Sequence, residues 1–275
     1  MIFLDGPMGT ELDARGVDTS LPLWSARGIR EAPEVVAAIH RDFAAAGATV
    51  HTANTFRTKR RTLGDAWERD AREAVRIALS ARPPGHRVAG SLSPLEDCYR
   101  PDLSPADPRP EHREVARALA DAGCDLLLCE TFPHVGEALV AVEECVATGR
   151  ETWLALTAGP DADLLTPAAM AEGARRAVEA GAAAVLVNCT PATDSLRFLR
   201  ALGDADLGVP LGVYANAGHV DERIGWTASP EPGAEAYAEL AERWVEAGAT
   251  LLGACCGTGP AHVRALVERF AAREG

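Results

Sequence analysis

The chain has 275 residues, 47% of them apolar and only 5% aromatic, enough to fill one sizeable core with Ala, Val and Leu. A net charge of −13 excludes nucleic acid or an anionic membrane as a general partner, because both need a basic footprint. No stretch nears the roughly 20 apolar residues of a membrane span, and MIFLDGPMGT has no basic region ahead of an apolar run, so a cytoplasmic protein without a signal peptide is expected.

Short apolar runs alternate with helical segments along the chain. Strands are expected at residues 2–4, 48–52, 87–89, 125–129, 152–157, 183–187, 211–215 and 250–253. Between them, Ala/Glu/Arg-rich stretches have helical spacing, clearest over 33–46, 111–122, 167–180 and 234–247. Gly47, Gly123, Gly181 and Gly248 follow these helices in the phrases AAAGAT, ADAGCD, VEAGAA and VEAGAT. A glycine there supplies a left-handed C-cap that turns the chain straight into a strand. Eight strands with helices between them imply an α/β fold, a single (β/α)₈ TIM barrel covering residues 1–275. A doubly wound sheet is the alternative, but its Gly-rich first turn is missing. Residues 100–110, RPDLSPADPRP, read as a long loop after the third strand.

In such barrels the chemistry sits at the C-terminal ends of the strands. The residues that follow the apolar runs are Asp5-Gly6, Asn54-Thr55-Phe56, Ser91, Glu130-Thr131-Phe132, Asn188-Cys189, Asn216-Ala217-Gly218 and Cys255-Cys256-Gly257-Thr258. Polar or thiol groups at so many equivalent positions point to an enzyme. Seven dispersed cysteines in a reducing compartment favour a metal or reactive thiols over disulfides. Cys189, Cys255 and Cys256 make a plausible zinc set that leaves one tetrahedral position open. Neighbours in a straight strand face opposite ways, so Cys255 and Cys256 can both ligate only if the chain bends, as Gly253 and Gly257 allow. The competing reading is three buried small cysteines used for packing. Cys98, Cys124, Cys129 and Cys145 have no such arrangement and read as packing or surface residues.

The segments LDGPMGTELDARG, ANTF, ETFPHVGEA, VNCTP, YANAG and GACCGTGPAH resemble the homocysteine S-methyltransferase family from residue 2 to about residue 265. The resemblance implies a (β/α)₈ barrel, Zn²⁺ held by Cys189, Cys255 and Cys256, and homocysteine as methyl acceptor. It also gives Asp5 and Glu130 the acceptor's ammonium, and the backbone around Gly6, Met8 and Gly9 its carboxylate. Asn216 is the candidate for a weak, displaceable ligand in the fourth position. Against these roles, Asp5 would only cap the next turn and Glu130 would pair with a local arginine.

One departure from the family pattern matters. Pro7 stands where a small residue is usual after Asp-Gly, and it has no N–H to donate. Acceptor identity therefore stays open to another thiol or a selenol. Family donors include S-methylmethionine, S-adenosylmethionine, betaine and corrinoid- or folate-linked methyl groups. A sulfonium is preferred here, and a corrinoid donor would need a partner protein. A non-catalytic zinc-binding barrel is the further alternative.

Several accessory residues carry lesser expectations. Arg57, Lys59, Arg60 and Arg61 form a cationic run, read either as an anion site or as a solvated face paired with Asp65, Glu68 and Asp70. Tyr99 and Arg100 are placed on the donor side, and Trp24, Tyr214 and Trp226 as aromatic shields of the methyl cation. His51, His134 and His219 show no metal spacing and read as structural.

Overall fold

The computed structural model describes residues 1–217 and 230–271. Its strands are β1 (Ile2–Phe3), β2 (Val50–Thr52), β3 (Arg87–Leu92), β4 (Leu126–Phe132), β5 (Glu151–Leu156), β6 (Ala184–Pro191), β7 (Leu211–Asn216) and β8 (Ala249–Ala254). They lie parallel in the order β1-β8-β7-β6-β5-β4-β3-β2. A parallel bridge between Leu4 and Val50 joins the two ends, and Asp5 N–H donates to the Val50 carbonyl at 3.0 Å. The sheet thus closes into the expected (β/α)₈ barrel.

The helices are α1 (Met8–Ala14), α2 (Arg27–Glu31), α3 (Pro33–Ala45), α4 (Arg60–Leu63), α5 (Trp67–Ala81), α6 (Arg109–Asp121), α7 (Val135–Val146), α8 (Pro167–Glu179), α9 (Ala192–Asp204), α10 (Pro230–Glu246) and α11 (Pro260–Phe270). The four glycines read as caps sit at φ between 98° and 108° after α3, α6, α8 and α10. Ala48 N–H reaches back over Gly47 to the Phe43 carbonyl at 3.0 Å, the closure that satisfies orphan carbonyls at a helix end. No described helix is long and apolar enough to cross a membrane.

Two apolar layers result. Leu4, Val50, Leu126, Leu128, Trp153, Leu186 and Leu251 fill the barrel interior. A larger cluster that includes Ile39, Phe43, Phe198 and Trp244 fills the space between sheet and helices. Fully burying each large side chain contributes about 1.5–3 kcal/mol, so these layers carry the fold.

The expected strands are all present, but β3, β4 and β6 run further than their apolar runs, to Leu92, Phe132 and Pro191. Their polar ends continue the ladder, pairing Phe132 with Leu156 and Pro191 with Asn216. Ladder bonds come from the backbone, so side-chain polarity does not end them. The stretch read as a loop over 100–110 contains a short 3₁₀ turn, Pro101–Leu103, and gives way to α6 at Arg109.

Candidate active site

The mouth of the barrel departs from regular strand geometry where the chemistry was expected. Register shifts interrupt β4 between Cys129 and Phe132 and β6 between Asn188 and Pro191. Inside them, Thr131 (φ 62°) and Cys189 (φ 45°) adopt the left-handed conformation. Such a conformation costs a non-glycine residue on the order of 1–3 kcal/mol. The two hold each other in place through Asn188. Its Oδ1 accepts from Thr131 N–H at 3.1 Å and its Nδ2 donates to Thr131 Oγ1 at 2.7 Å. Thr157 Oγ1 and Asn216 Nδ2 both donate to the Cys189 carbonyl, at 3.1 and 3.2 Å. The bulges turn Glu130 and Cys189 into the cavity.

The bend after β8 is equally built. Gly257 takes φ 81°, and Thr258 Oγ1 donates to the Cys255 carbonyl at 2.5 Å. Tyr237 OH accepts from Ala215 N–H at 3.0 Å and donates to the Gly253 carbonyl at 2.9 Å, tying β7 to β8 below the cysteines. Gly253 is required for closeness rather than for the bend, since an added Cβ would lie 2.9 Å from Leu4 Cβ. Cys255 and Cys256 consequently face one cavity.

The three sulfurs of Cys189, Cys255 and Cys256 lie within 4.8 Å of one another, with Cys189 and Cys255 Sγ at 2.7 Å. Tetrahedral zinc with bonds of about 2.3 Å sets ligand sulfurs roughly 3.8 Å apart, so small side-chain rotations suffice to receive a metal. As thiols they share charge unequally. Cys256 is pulled well below the usual thiol range by hydrogen bonds from Cys189 and then Cys255. Cys189 is pushed well up, first by its hydrogen bonding with Cys255 and Cys256 and then by burial. Three full thiolates at this spacing would repel, and a divalent cation among them removes that cost. The donor set fits a soft, four-coordinate cation.

Two carboxylates border the same cavity of about 450 Å³. Glu130 accepts from Ser91 Oγ and, at 2.9 Å, from Tyr214 OH. Burial, only partly offset by these two hydroxyls, pushes it up to about 7. Asp5 Oδ2 accepts from Thr52 N–H at 2.8 Å, and burial pushes this group up to about 8. Asp5 does not cap α1, whose N-cap is Pro7, and Glu130 has no arginine partner among the described residues. Burial therefore disfavours the ionised form of both acids, more strongly for Asp5 than for Glu130.

Behind Asp5 lies a feature that sequence spacing did not suggest. Asp5, His40 and His51 also fall within 4.8 Å of one another, all buried. His51 Nε2 meets His86 Nδ1 at 3.0 Å, whereas neither ring nitrogen of His40 has a partner. Burial holds His40 down to about 3 and His51 to about 4, so both are neutral near pH 7. A neutral His40, 4.0 Å from Asp5, brings no positive charge to ionise that acid.

Gly6, Pro7, Met8 and Gly9 line the cavity, as do Trp24, Tyr99, Tyr214 and Asn216. Other expectations need correction. Arg100 does not face the site; it is exposed and pairs with Asp102. Cys98, read as packing or surface, is buried on the cavity wall. Cys124, Cys129 and Cys145 are packing residues. In the cationic run, Arg60 pairs with Asp65 as expected, but also with Glu114. Arg61 pairs with Glu96 and Glu111, whereas Glu68 and Asp70 take other arginines. Lys59 is not on the surface at all: its Nζ donates to Ser93 Oγ at 3.2 Å and to the carbonyls of Pro94 and Glu96. His134 caps α7, accepting from Glu137 N–H at 3.0 Å, a structural role. Gly218, His219 and Trp226 lie outside the described residues.

The pattern described as homocysteine S-methyltransferase matches residues 2–270. A homocysteine S-methyltransferase of Escherichia coli is 33% identical over 98% of this chain and 95% of its own length. A selenocysteine Se-methyltransferase of Brassica oleracea var. italica is 27% identical, over 98% and 89%. Among solved structures, the metallated homocysteine methyltransferase of Escherichia coli superposes with a TM-score of 0.82 at 26% identity, covering 98% of this chain and 96% of that one.

Proposed function

The chain belongs to the homocysteine S-methyltransferase family and is a methyltransferase; within that activity, we propose that it moves a methyl group from a sulfonium donor to homocysteine, forming methionine. S-methylmethionine and S-adenosylmethionine are the preferred donors, and zinc is the metal assigned to Cys189, Cys255 and Cys256. The observation that carries this reading is the convergence of those three sulfurs on a cavity that also presents two buried carboxylates.

A free alkyl thiol has a pKa of about 8.5, and a zinc ion bound at these cysteines would strip its proton and keep the sulfur nucleophilic at neutral pH. The protein's own residues do the rest. Glu130 and Asp5 receive the acceptor's ammonium, and its arrival supplies the positive charge that ionises two acids otherwise held up by burial. Ser91 and Tyr214 fix the Glu130 carboxylate, leaving its orientation independent of substrate. The backbone at Gly6, Met8 and Gly9 takes the acceptor carboxylate, with Pro7 contributing no donor. Asn216, anchored through Nδ2 on the Cys189 carbonyl, offers its amide oxygen as the displaceable ligand. Trp24, Phe56 and Tyr99 wall the cavity and limit water.

The Brassica relative supports a second reading of the acceptor, in which the same residues serve a selenol. One experiment tests both. Reduced wild type is expected to hold about one zinc per chain and to form methionine from at least one sulfonium donor. Cys256→Ala is expected to lose both. Competition between homocysteine and selenocysteine then ranks the acceptors. Zinc-free wild type, or equal transfer by the alanine variant, would overturn the proposal.

A further inference from the structure

Arg57 follows cavity-lining Phe56 and is half-buried. Its guanidinium lies 6.0 Å from the Trp24 ring centroid and 5.7 Å from that of Phe56, so it rests on two rings that line the cavity. The Nε atom is buried and has no hydrogen-bond partner. Its neighbours are occupied differently: Arg60 and Arg61 pair with acids, and Lys59 spends its donors on Ser93 Oγ and two carbonyls. Among the described residues Arg57 makes no ion pair, in a chain with 40 acidic and 27 basic side chains. An arginine stays charged at every accessible pH, and a buried donor left without a partner is costly. An anion that comes and goes would complete it.

Two further observations bear on where that anion would come from. Trp24 and Phe56, the two rings that carry the Arg57 guanidinium, line the same cavity as Cys98 and Cys256. Trp24 in turn abuts Gly9, where an added Cβ would lie 2.3 Å from its Cζ2. Gly9 thus stands beside Trp24 and Arg57 beyond it. Pro7, in the same segment, has removed one backbone donor that a carboxylate would use. A planar guanidinium steadied on aromatic rings matches the two oxygens of a carboxylate.

We propose that Arg57 binds the carboxylate of an amino-acid substrate in this site and so selects donors or acceptors that carry one. This rests on the methyl-transfer reading above. A bare sulfonium, being only cationic, is disfavoured by Arg57. An amino-acid sulfonium is favoured by it.

The test uses full-length, metal-loaded wild type, Arg57→Gln and Arg57→Lys. The donor arm compares KM for S-methylmethionine with KM for trimethylsulfonium. The acceptor arm compares homocysteine with 3-aminopropane-1-thiol, its analogue without a carboxylate. The expected result is a KM rise on the order of ten-fold or more in Arg57→Gln for one carboxylated substrate. Its carboxylate-free counterpart is unchanged or improved, and Arg57→Lys recovers part of the loss. Which arm responds identifies the substrate held. Equal losses with and without a carboxylate, or unchanged KM for both carboxylated substrates, overturn the proposal. Should wild type transfer no methyl group, the reaction reading is what fails. Binding of methionine against 3-(methylthio)propylamine to the same proteins then decides Arg57 by the same ten-fold criterion, and equal affinities in wild type and Arg57→Gln overturn it.

Discussion

The interior of the barrel and its mouth are made by the same eight strands, yet they are built to opposite ends. Inside, Leu126, Leu128, Trp153, Leu186 and Leu251 interlock with no ionised group among them. A few residues further along β4 and β6, Thr131 and Cys189 sit in left-handed conformations, and Asp5 and Glu130 are carboxylates that burial pushes up to about 8 and 7. The lower layer stabilises the fold, while the left-handed residues and buried acids make the mouth costly to fold. Local rules of conformation, charge and packing are broken together where ligands are to be received.

The contrast is broken most sharply by Cys256→Ser. It is expected to lower methyl transfer by three orders of magnitude or more and to abolish metal retention. Thermal unfolding of the metal-free protein should barely move. A collapse of metal-free stability instead would make Cys256 a packing residue. Leu186→Ala should do the reverse. About 2–5 kcal/mol of unfolding free energy is expected to disappear in denaturant titration, with zinc content and homocysteine KM kept.

Glu130→Gln sharpens the comparison through pH. The folded protein holds this acid above its ordinary value, at about 7, so folding favours the protonated form. That contribution is complete below about pH 4 and is lost as pH rises through 7. Glu130→Gln should therefore be more stable than wild type at pH 8, with the gap closing by pH 4. Its KM for homocysteine should rise about ten-fold. A variant less stable at pH 8 would mean that Glu130 is a structural anion and not a strained binding group. Tyr214→Phe is the mildest change. Removing the hydroxyl that donates to Glu130 Oε2 should raise that pKa further. The pH at which homocysteine KM improves should then move up by about one unit, with kcat near wild type.

Much of this was legible in the sequence, for a physical reason. Barrel strands stop being apolar where the cavity starts, so residues that follow the runs, Asp5, Glu130, Cys189, Cys255 and Cys256, could be placed on its wall. Glycines marked the helix ends and the bend at Gly257. The bulges were not legible, because no residue type announces φ near 50° at a threonine or a cysteine. The partners of Glu130 come from β3 and β7, far away in sequence, and only the closed barrel brings Ser91 and Tyr214 to it. Lys59 misled in another way. Its place in a cationic run suggested solvent, but its partners are mostly backbone carbonyls, which leave no trace in composition. Cys98 reaches the cavity on an irregular segment whose course neither period of secondary structure encodes.

The most direct test of the central claim is the zinc K-edge absorption fine structure of the reduced, metal-loaded protein, recorded before and after adding homocysteine. Three sulfurs at about 2.3 Å are expected at first and four once the acceptor is bound. A shell of nitrogen and oxygen, or a sulfur count that homocysteine does not change, would contradict the assignment of Cys189, Cys255 and Cys256 as the metal site that receives the acceptor.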